Sequence, residues 1–264
     1  MILFPEKAKY TYDDLLEIIR LLRSPEGCPW DKVQTHESIR RGLLEEAYEA
    51  AESIDNDDPV GMQEELGDLM MQVVFHADIE KDAGHFTMEE VCDGVVRKLL
   101  FRHPHVFAAA DTKNDTPAEV LVNWEELKKK EKGFATTGEA MGAVAKSLPG
   151  LWRAEKIQKK AASAGFDWPE VSGAMNKLRE EVQELETAIE NKSNMAEELG
   201  DLLFAAVKVG RFLEIDPEKA LHDACDKFNA RFRAMEQKAA KAEKNFKELT
   251  LDEKLSLWEN VKVH

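Results

Sequence analysis

Eight acidic residues, in two sets of four, are the side chains best suited to chemistry in this sequence. Each set contains two acids three residues apart, followed after a short interval by two more acids three residues apart. Residues three apart lie on one face of a helix, so each pair presents two carboxylates together. The first set is Glu46, Glu49, Glu65 and Asp68, and the second set is Glu181, Glu184, Glu198 and Asp201.

An antiparallel pair of helices is needed to bring each set of four acids to one place. Apolar residues recur at intervals of three and four around both pairs of the first set, which predicts two helices. Turn-forming residues fill positions 55–59, and the proline at 59 suits the start of the second helix. With the reversal near Asp57, Glu49 and Glu65 each lie eight residues from it. With a second reversal near Asn191, Glu184 and Glu198 each lie seven residues from it.

Four carboxylates in one place repel each other unless a cation lies among them. A ligand set made only of oxygen favours a hard divalent ion, so we expect Mg²⁺, with Mn²⁺ as a substitute, rather than zinc. The alternative is a solvated acidic face, since the chain has 52 acidic residues in 264 and isolated charge pairs are usually surface features. The duplication of the four-acid pattern with matched spacing favours the metal interpretation.

Basic and aromatic residues repeat with the acids, and their chemistry suits a nucleotide. In each half a Lys/Arg pair spaced for one helix face could bind anions, and a Trp/Lys pair could stack a flat ring beside a phosphate. With a metal, these groups meet the requirements of nucleotide polyphosphate hydrolysis. Glu45 and Glu180 directly precede the inner acid pairs and could orient the attacking water. The basic and aromatic residues are Lys98, Arg102, Trp124 and Lys128 in the first half, and Lys227, Arg231, Trp258 and Lys262 in the second.

The repeat defines the predicted organisation of the chain. Equivalent residues of the two halves lie 129 to 135 positions apart, and runs of alternating polarity typical of strands are absent from the sequence. We therefore predict an all-α protein with two helical domains, at 1–132 and 150–264, joined by a Gly-, Ala-, Thr- and Ser-rich linker at 133–149. Each domain would form a helix bundle around its carboxylate hairpin, and an open hairpin of this size suggests that a homodimer completes the bundles.

Composition limits the partners and the location of the protein. A formal net charge of -16 argues against binding of a nucleic-acid polymer, because a phosphate backbone requires a basic surface. Three widely spaced cysteines fit neither a disulfide framework nor a zinc site and suggest a reducing cytoplasm. The sequence shows no apolar run long enough for a membrane span and no signal-peptide core at its start, so we expect a cytoplasmic protein.

The duplicated acidic pattern and four flanking motifs together resemble the MazG-type nucleoside triphosphate pyrophosphohydrolases. The acidic pattern reads Glu-Glu-x-x-Glu followed by Glu-x-x-Asp, and the resemblance covers nearly the whole chain in a tandem two-domain form. The flanking motifs are Gly-Cys-Pro-Trp-Asp at 27–31, His-Pro-His-Val-Phe at 103–107, Lys-Ile-Gln-Lys at 156–159 and Gly-Phe-Asp-Trp at 165–168.

The resemblance implies an all-α homodimer that uses Mg²⁺ to hydrolyse NTPs and dNTPs to a monophosphate and pyrophosphate. It assigns the metal ligands to the second acidic set and the nucleotide contacts to Lys227, Arg231, Trp258 and Lys262. Two alternatives stay open from the sequence. One is a narrow-substrate enzyme of the same fold, acting on dUTP or phosphoribosyl-ATP, and the other is a nonenzymatic helical interaction protein.

Both halves keep a complete acidic set, so the pattern alone does not identify the active half. We favour the second half, because the helix carrying Lys227 has no interruption. The equivalent helix of the first half is broken by Pro104, directly after Arg102.

Overall fold

The fold is all-α, as the sequence predicts. The computed structural model describes residues 2–107, 116, 120, 124, 127–128 and 131–262, and within these ranges it contains α-helices and two short 3₁₀ segments but no strand. The chain divides into two compact units, Met1–Lys128 and Lys129–His264. The domain limits expected from the sequence, 1–132 and 150–264, stay a prediction.

The four long helices of the first unit begin directly after residues whose side chains cap them. Thr11 and Thr87 both form capping boxes, with Asp14 and Glu90 respectively, which satisfy backbone N–H groups that a helix start leaves free. The sequence Thr-Pro-Ala-Glu at 116–119 also predicts a helix start, and this helix lies largely outside the described residues. The helices are α1 Tyr12–Arg23, α2 His36–Asp55, α3 Pro59–Asp82, α4 Met88–Arg102 and the one-turn α5 Pro104–Phe107.

The predicted hairpin of the first unit is present as α2 and α3. Asp57 adopts a left-handed conformation with φ of 52°, which reverses the chain. The Asp58 side chain then accepts hydrogen bonds from two backbone N–H groups of α3, and Pro59 occupies the first turn of that helix. The turn therefore forms at the position on which the pairing of the first acidic set depends.

The core of the first unit lies where α1 and the start of α2 pack on α3. Ile19, Ile39, Val74 and Phe75 are each at most 7% exposed and form one cluster. Gly27 is required just after α1, because a Cβ atom there would lie 2.3 Å from the Leu21 and Leu22 carbonyl oxygens. The core fixes α3, which carries two of the four acids of the first set.

The second unit repeats this arrangement with a hairpin of its own. A short helix with a Thr136 capping box lies inside the segment predicted as a linker and packs on the helix that follows it. The hairpin turn contains Lys192 and Asn194, both left-handed with φ of 52° and 53°. The helices are α6 Thr137–Gly142, α7 Gly150–Ser163, α8 Val171–Asn191, α9 Met195–Phe212, α10 Pro217–Lys241 and α11 Leu251–Lys262.

Two of the flanking motifs hold the hairpin of the second unit. Gln158 of α7 is 1% exposed and donates a hydrogen bond of 2.7 Å to the Phe204 carbonyl of α9. Asp167 accepts hydrogen bonds from Lys208, at 3.3 Å, and from Arg211, both on α9. These motifs therefore fix α9 and the acids it carries, and their contacts are structural.

The long helix of the second unit is continuous, whereas its counterpart in the first unit is not. α10 spans 25 residues with Lys227 near its middle. α4 ends at Arg102, and His103 leads into the one-turn helix that Pro104 begins. Among the described residues, no helix is both long enough and apolar enough to cross a membrane.

Candidate metal and nucleotide site

The hairpin of the first unit brings three of the four acids of the first set close together. Glu46 and Glu49 of α2 and Glu65 of α3 each offer an oxygen, and these oxygens lie within 4.8 Å of one another. Burial raises the pKa of the Glu46 carboxyl, and the neighbouring Asp68, Glu49 and Glu65 raise it further. Burial and neighbouring acids also raise the pKa of Glu65. Together these four acids form what we call the first cluster.

The hairpin of the second unit forms an equivalent second cluster. Glu181 of α8 and Glu198 and Asp201 of α9 offer oxygens that again lie within 4.8 Å of one another. Glu184, one turn along α8, is the fourth member. Burial raises the pKa of its carboxyl, Lys177 opposes that change, and Glu181 adds to it.

Glu181 is the member of the second cluster that the fold encloses most. It is 5% exposed, and its Oε1 atom lies 2.8 Å from Lys177 Nζ. Its Oε2 atom is buried and has no hydrogen-bond partner among the described residues. A buried carboxylate oxygen without a partner is costly, and a cation beside it would satisfy it. The residues present therefore fit a hard divalent cation, with oxygen atoms supplied from two helices.

Lys177 is a residue of this site that the sequence reasoning missed. Its ammonium group bridges three acids of α8, at 2.6 Å from Glu180, 2.8 Å from Glu181 and 3.8 Å from Glu184. Hydrogen bonds to Glu180 and Glu181 raise the pKa of Lys177. Its position four residues before Glu181 was a usable signal, because residues four apart meet on a helix surface.

The two residues expected to orient the attacking water have different surroundings. Glu180 is ion-paired with Lys177 and is thereby linked to the second cluster. Glu45 is paired instead with Arg41, one turn earlier on α2, at 2.6 Å. Both Glu180 and Glu45 are more than half exposed, which leaves their second oxygen open to solvent.

The expected nucleotide contacts of the second unit form an aromatic and basic group. The Trp258 ring of α11 lies 5.8 Å from the Arg231 guanidinium carbon and 6.0 Å from Lys262 Nζ. The Phe228 ring packs against the same indole, with 5.2 Å between ring centroids. Cations at these distances interact with the face of the ring, so the three predicted residues are brought together.

The first unit assembles the matching group. The Trp124 ring lies 5.1 Å from the Arg102 guanidinium carbon and 4.5 Å from Lys128 Nζ. Arg102 is only 9% exposed. The repeat therefore extends from the sequence to the three-dimensional contacts of these residues.

In the second unit, the described contacts do not join the basic residues of α10 to the carboxylates. Lys98 and Lys227 are exposed on α4 and α10. In the described part of the second unit, no hydrogen bond or ion pair joins Lys227 or Arg231 to the second cluster. A ligand that contacts both groups, or a second protein surface, is needed to connect them.

Comparisons with known proteins agree on one family. The model of the MazG nucleotide pyrophosphohydrolase domain matches residues 34–107 and 170–235, which include both clusters. The nucleoside triphosphate pyrophosphohydrolase/pyrophosphatase MazG of Thermotoga maritima is 41% identical over 97% of this chain and 98% of its own length. The nucleoside triphosphate pyrophosphohydrolase of Escherichia coli K12 is 40% identical over 95% of this chain and 96% of its own length. The uncharacterized protein YabN of Bacillus subtilis is 42% identical over 97% of this chain and 53% of its own length.

Proposed function

The chain belongs to the MazG nucleotide pyrophosphohydrolase family, and from that premise we propose that its second cluster is a magnesium site for hydrolysis of nucleoside triphosphates. The chain is a nucleoside triphosphate pyrophosphohydrolase, with NTPs and dNTPs as its proposed substrates. The products are a nucleoside monophosphate and pyrophosphate. Mn²⁺ is expected to replace Mg²⁺, because it accepts the same oxygen ligands.

The buried Glu181 carboxylate is the observation that carries the proposal. A surface acid would find water for both oxygens, but Glu181 has one oxygen enclosed and unpaired among further acids. Such an arrangement is expected of a metal ligand and is unfavourable for a purely structural residue. A bound divalent cation would neutralise phosphate charge and lower the pKa of a coordinated water.

The protein groups supply position and charge around the reacting phosphate. Glu181, Glu184, Glu198 and Asp201 would hold the cation, and Glu180 would accept a hydrogen bond from the attacking water and so orient it. Lys227 and Arg231 stabilise the charge that develops on the phosphate oxygens. The Trp258 indole stacks on the base, and Lys262 contacts a phosphate beside it.

We further propose that the enzyme is a homodimer. Leu66 and Met70 on α3 are 48% and 46% exposed, and their equivalents Leu199 and Leu203 on α9 are each 48% exposed. Large apolar side chains exposed at the same two positions of both hairpins indicate a surface that is covered in solution. A second copy of the chain covers this surface in the proposal.

A cytoplasmic location completes the proposal and rests on cysteine chemistry. Cys28, Cys92 and Cys225 are all free thiols in the structure. Free thiols, two of them exposed, suit a reducing compartment.

The same acids in the two units allow one experiment to locate the activity. Glu181→Gln should lower turnover at least about a hundredfold, because removal of a ligand costs more than the loss of a residue that only supports one. Glu46→Gln at the equivalent position should retain most activity. Hydrolysis of each common NTP and dNTP with Mg²⁺ is the measurement, and circular dichroism checks folding. Full activity of Glu181→Gln together with an inactive Glu46→Gln would move the chemistry to the first unit.

A further inference from the structure

The two clusters have the same acids but differ at the position one helical turn before the first of them. Glu46 and Glu181 are equivalent, and four residues earlier the first unit has Gly42 where the second unit has Lys177. On a helix, that position is adjacent to the acid. Any side chain placed there can therefore reach the carboxylates.

Lys177 uses that position to enter the second cluster. Its ammonium group contacts Glu180, Glu181 and Glu184 at 2.6, 2.8 and 3.8 Å, and its side chain is about two-thirds covered. Two of these three acids are proposed ligands of the cation. Lys177 is therefore a positive charge placed on oxygens that a divalent ion also needs.

The first cluster has no such charge. Among the residues that the structure describes, no lysine or arginine forms an ion pair with Glu46, Glu49, Glu65 or Asp68. A side chain at Gly42 would also have to displace the end of the Gln72 side chain, because a Cβ atom there would lie 2.8 Å from Gln72 Nε2. The second unit has Ala205 at the position of Gln72, which leaves room for Lys177. The two units thus differ at both of these positions.

We propose that Lys177 is a built-in counterion that competes with the divalent cation for the second cluster, so that metal binds there only as Lys177 withdraws from Glu181 and Glu184. The unpaired Glu181 Oε2 indicates that the lysine leaves part of the cluster unsatisfied, so a cation that displaces Lys177 gains this oxygen as a further ligand. The lysine lowers the metal affinity of the second cluster in nucleotide-free protein. The inference rests on the proposed function, since it takes the same acids as metal ligands.

The consequence is a difference between the units in how they hold metal. Cation affinity rises with the uncompensated negative charge of the ligand set. The second cluster, with one charge neutralised by Lys177, exchanges its cation readily, whereas no described lysine or arginine is paired with the first cluster to compete in this way. Metal in the second unit therefore depends on the free Mg²⁺ concentration more strongly than metal in the first unit.

Titration of nucleotide-free protein with Mn²⁺, followed by electron paramagnetic resonance, tests the proposal. The double substitution Glu46→Gln and Glu49→Gln silences the first cluster, so the signal reports the second cluster. In this background, Lys177→Gln should tighten Mn²⁺ binding about tenfold, since it removes the competing charge. Lys177→Arg should leave the affinity near its starting value. An affinity unchanged by Lys177→Gln, or no Mn²⁺ binding in either protein, would overturn the proposal.

Two further variants control the interpretation. Lys244→Gln removes an exposed lysine that pairs with Glu253, which belongs to neither cluster, and should leave Mn²⁺ affinity unchanged. In a protein with Glu181→Gln, the pair Gly42→Lys and Gln72→Ala transfers the arrangement of the second unit to the first cluster and should weaken Mn²⁺ binding about tenfold. Weakening no greater than that caused by Gln72→Ala alone would count against a lysine counterion.

The proposal and the proposed function fail in different ways. Tighter Mn²⁺ binding by Lys177→Gln, without nucleotide hydrolysis by the wild type, would support the counterion role of Lys177 and contradict the proposed enzymatic function. Metal-dependent hydrolysis by the wild type, with no change of Mn²⁺ affinity in Lys177→Gln, would support the proposed enzymatic function and contradict the counterion role of Lys177.

Discussion

At the scale of single residues, the sequence does not show which charge pairs the fold buries and which stay exposed. Helix geometry allowed the spacing of the acids to predict the three carboxylates that meet in each unit, but Asp68 and Glu184 lie outside these groups of three. The spacing did not predict that Glu181 would be the enclosed member, since burial depends on what other helices cover. Lys177 was missed for a related reason. A lysine near glutamates on a helix is usually a solvent-exposed pair of little energetic weight.

Asp167 shows the energetic weight of a charge pair that the fold encloses. It contacts Lys208 and Arg211, whose side chains are 10% and 13% exposed. Burial alone would raise the pKa of Asp167, but its hydrogen bonds with Arg211 and Lys208 hold that pKa below the ordinary value. Asp167→Asn should lower the free energy of unfolding by about 2–3 kcal/mol, because two enclosed cations lose their partner.

Urea denaturation measures that loss, and an exposed aspartate provides the control. Asp223 pairs with Lys219 one turn away on α10, and its side chain is mostly exposed. Asp223→Asn should change the free energy of unfolding by no more than about 0.5 kcal/mol. Equal effects of the two substitutions would show that the Asp167 contacts contribute no more than a surface pair.

At the scale of helices, the hairpins were predictable because local signals agree with each other. Apolar periodicity gave the helices, and Pro59 gave the start of α3. Contacts between distant helices were not predictable. A chain of polar contacts joins the start of α2 to the end of α3 in the first unit, through His36, His76 and Glu80. His36 Nδ1 lies 2.7 Å from His76 Nδ1, and His36 Nε2 lies 2.6 Å from Glu80.

This chain of contacts should make the first unit sensitive to acid. Burial lowers the pKa of His76 below its ordinary 6.5, and His36 lowers it further. A lowered pKa means that the folded state resists protonation more than the unfolded state does. Stability is therefore full above about pH 6.5 and falls as the pH drops through the lowered value. Hydrogen bonds from His85 and His36 lower the pKa of Glu80, so a further loss follows at lower pH.

Amide hydrogen exchange along α3 measures this loss of stability in the first unit. Protection factors, corrected for intrinsic exchange, should fall between pH 7 and pH 5.5 in the wild type. His76→Val introduces the residue found at the equivalent position 209 and should remove most of that fall. Its control is the second unit, where α9 protection should be the same in both proteins. If the pH dependence of α3 protection is unchanged in His76→Val, His76 is not its cause.

At the scale of the whole molecule, the sequence predicted two helical units and a repeated set of functional residues. It predicted this because equivalent residues of a duplicated segment recur at a nearly constant spacing. The sequence could not predict which apolar side chains stay uncovered within one chain. Leucines at helix-forming intervals indicate a buried face, yet Leu66 and Leu199 are both about half exposed. The proposed dimer accounts for this exposure.

A charge on that surface should weaken the dimer. Leu203→Asp places an uncompensated charge where the proposal buries an apolar side chain, and it should raise the dimer dissociation constant at least about tenfold. Sedimentation analysis across a concentration series gives that constant. Leu251→Asp is the control, because Leu251 is 70% exposed at the start of α11 and belongs to no repeated pair. A monomeric wild type, or equal effects of both substitutions, would contradict the dimer.

The central claim is attack of a metal-activated water on the α-phosphorus of a nucleoside triphosphate at the second cluster. Product analysis in ¹⁸O-labelled water, with each common NTP and dNTP, tests it most directly. We expect pyrophosphate and a monophosphate that carries the label, formed with Mg²⁺ or Mn²⁺ and lost with a chelator or in Glu181→Gln. Orthophosphate with a diphosphate, label in the pyrophosphate, or turnover that persists with a chelator would contradict the account.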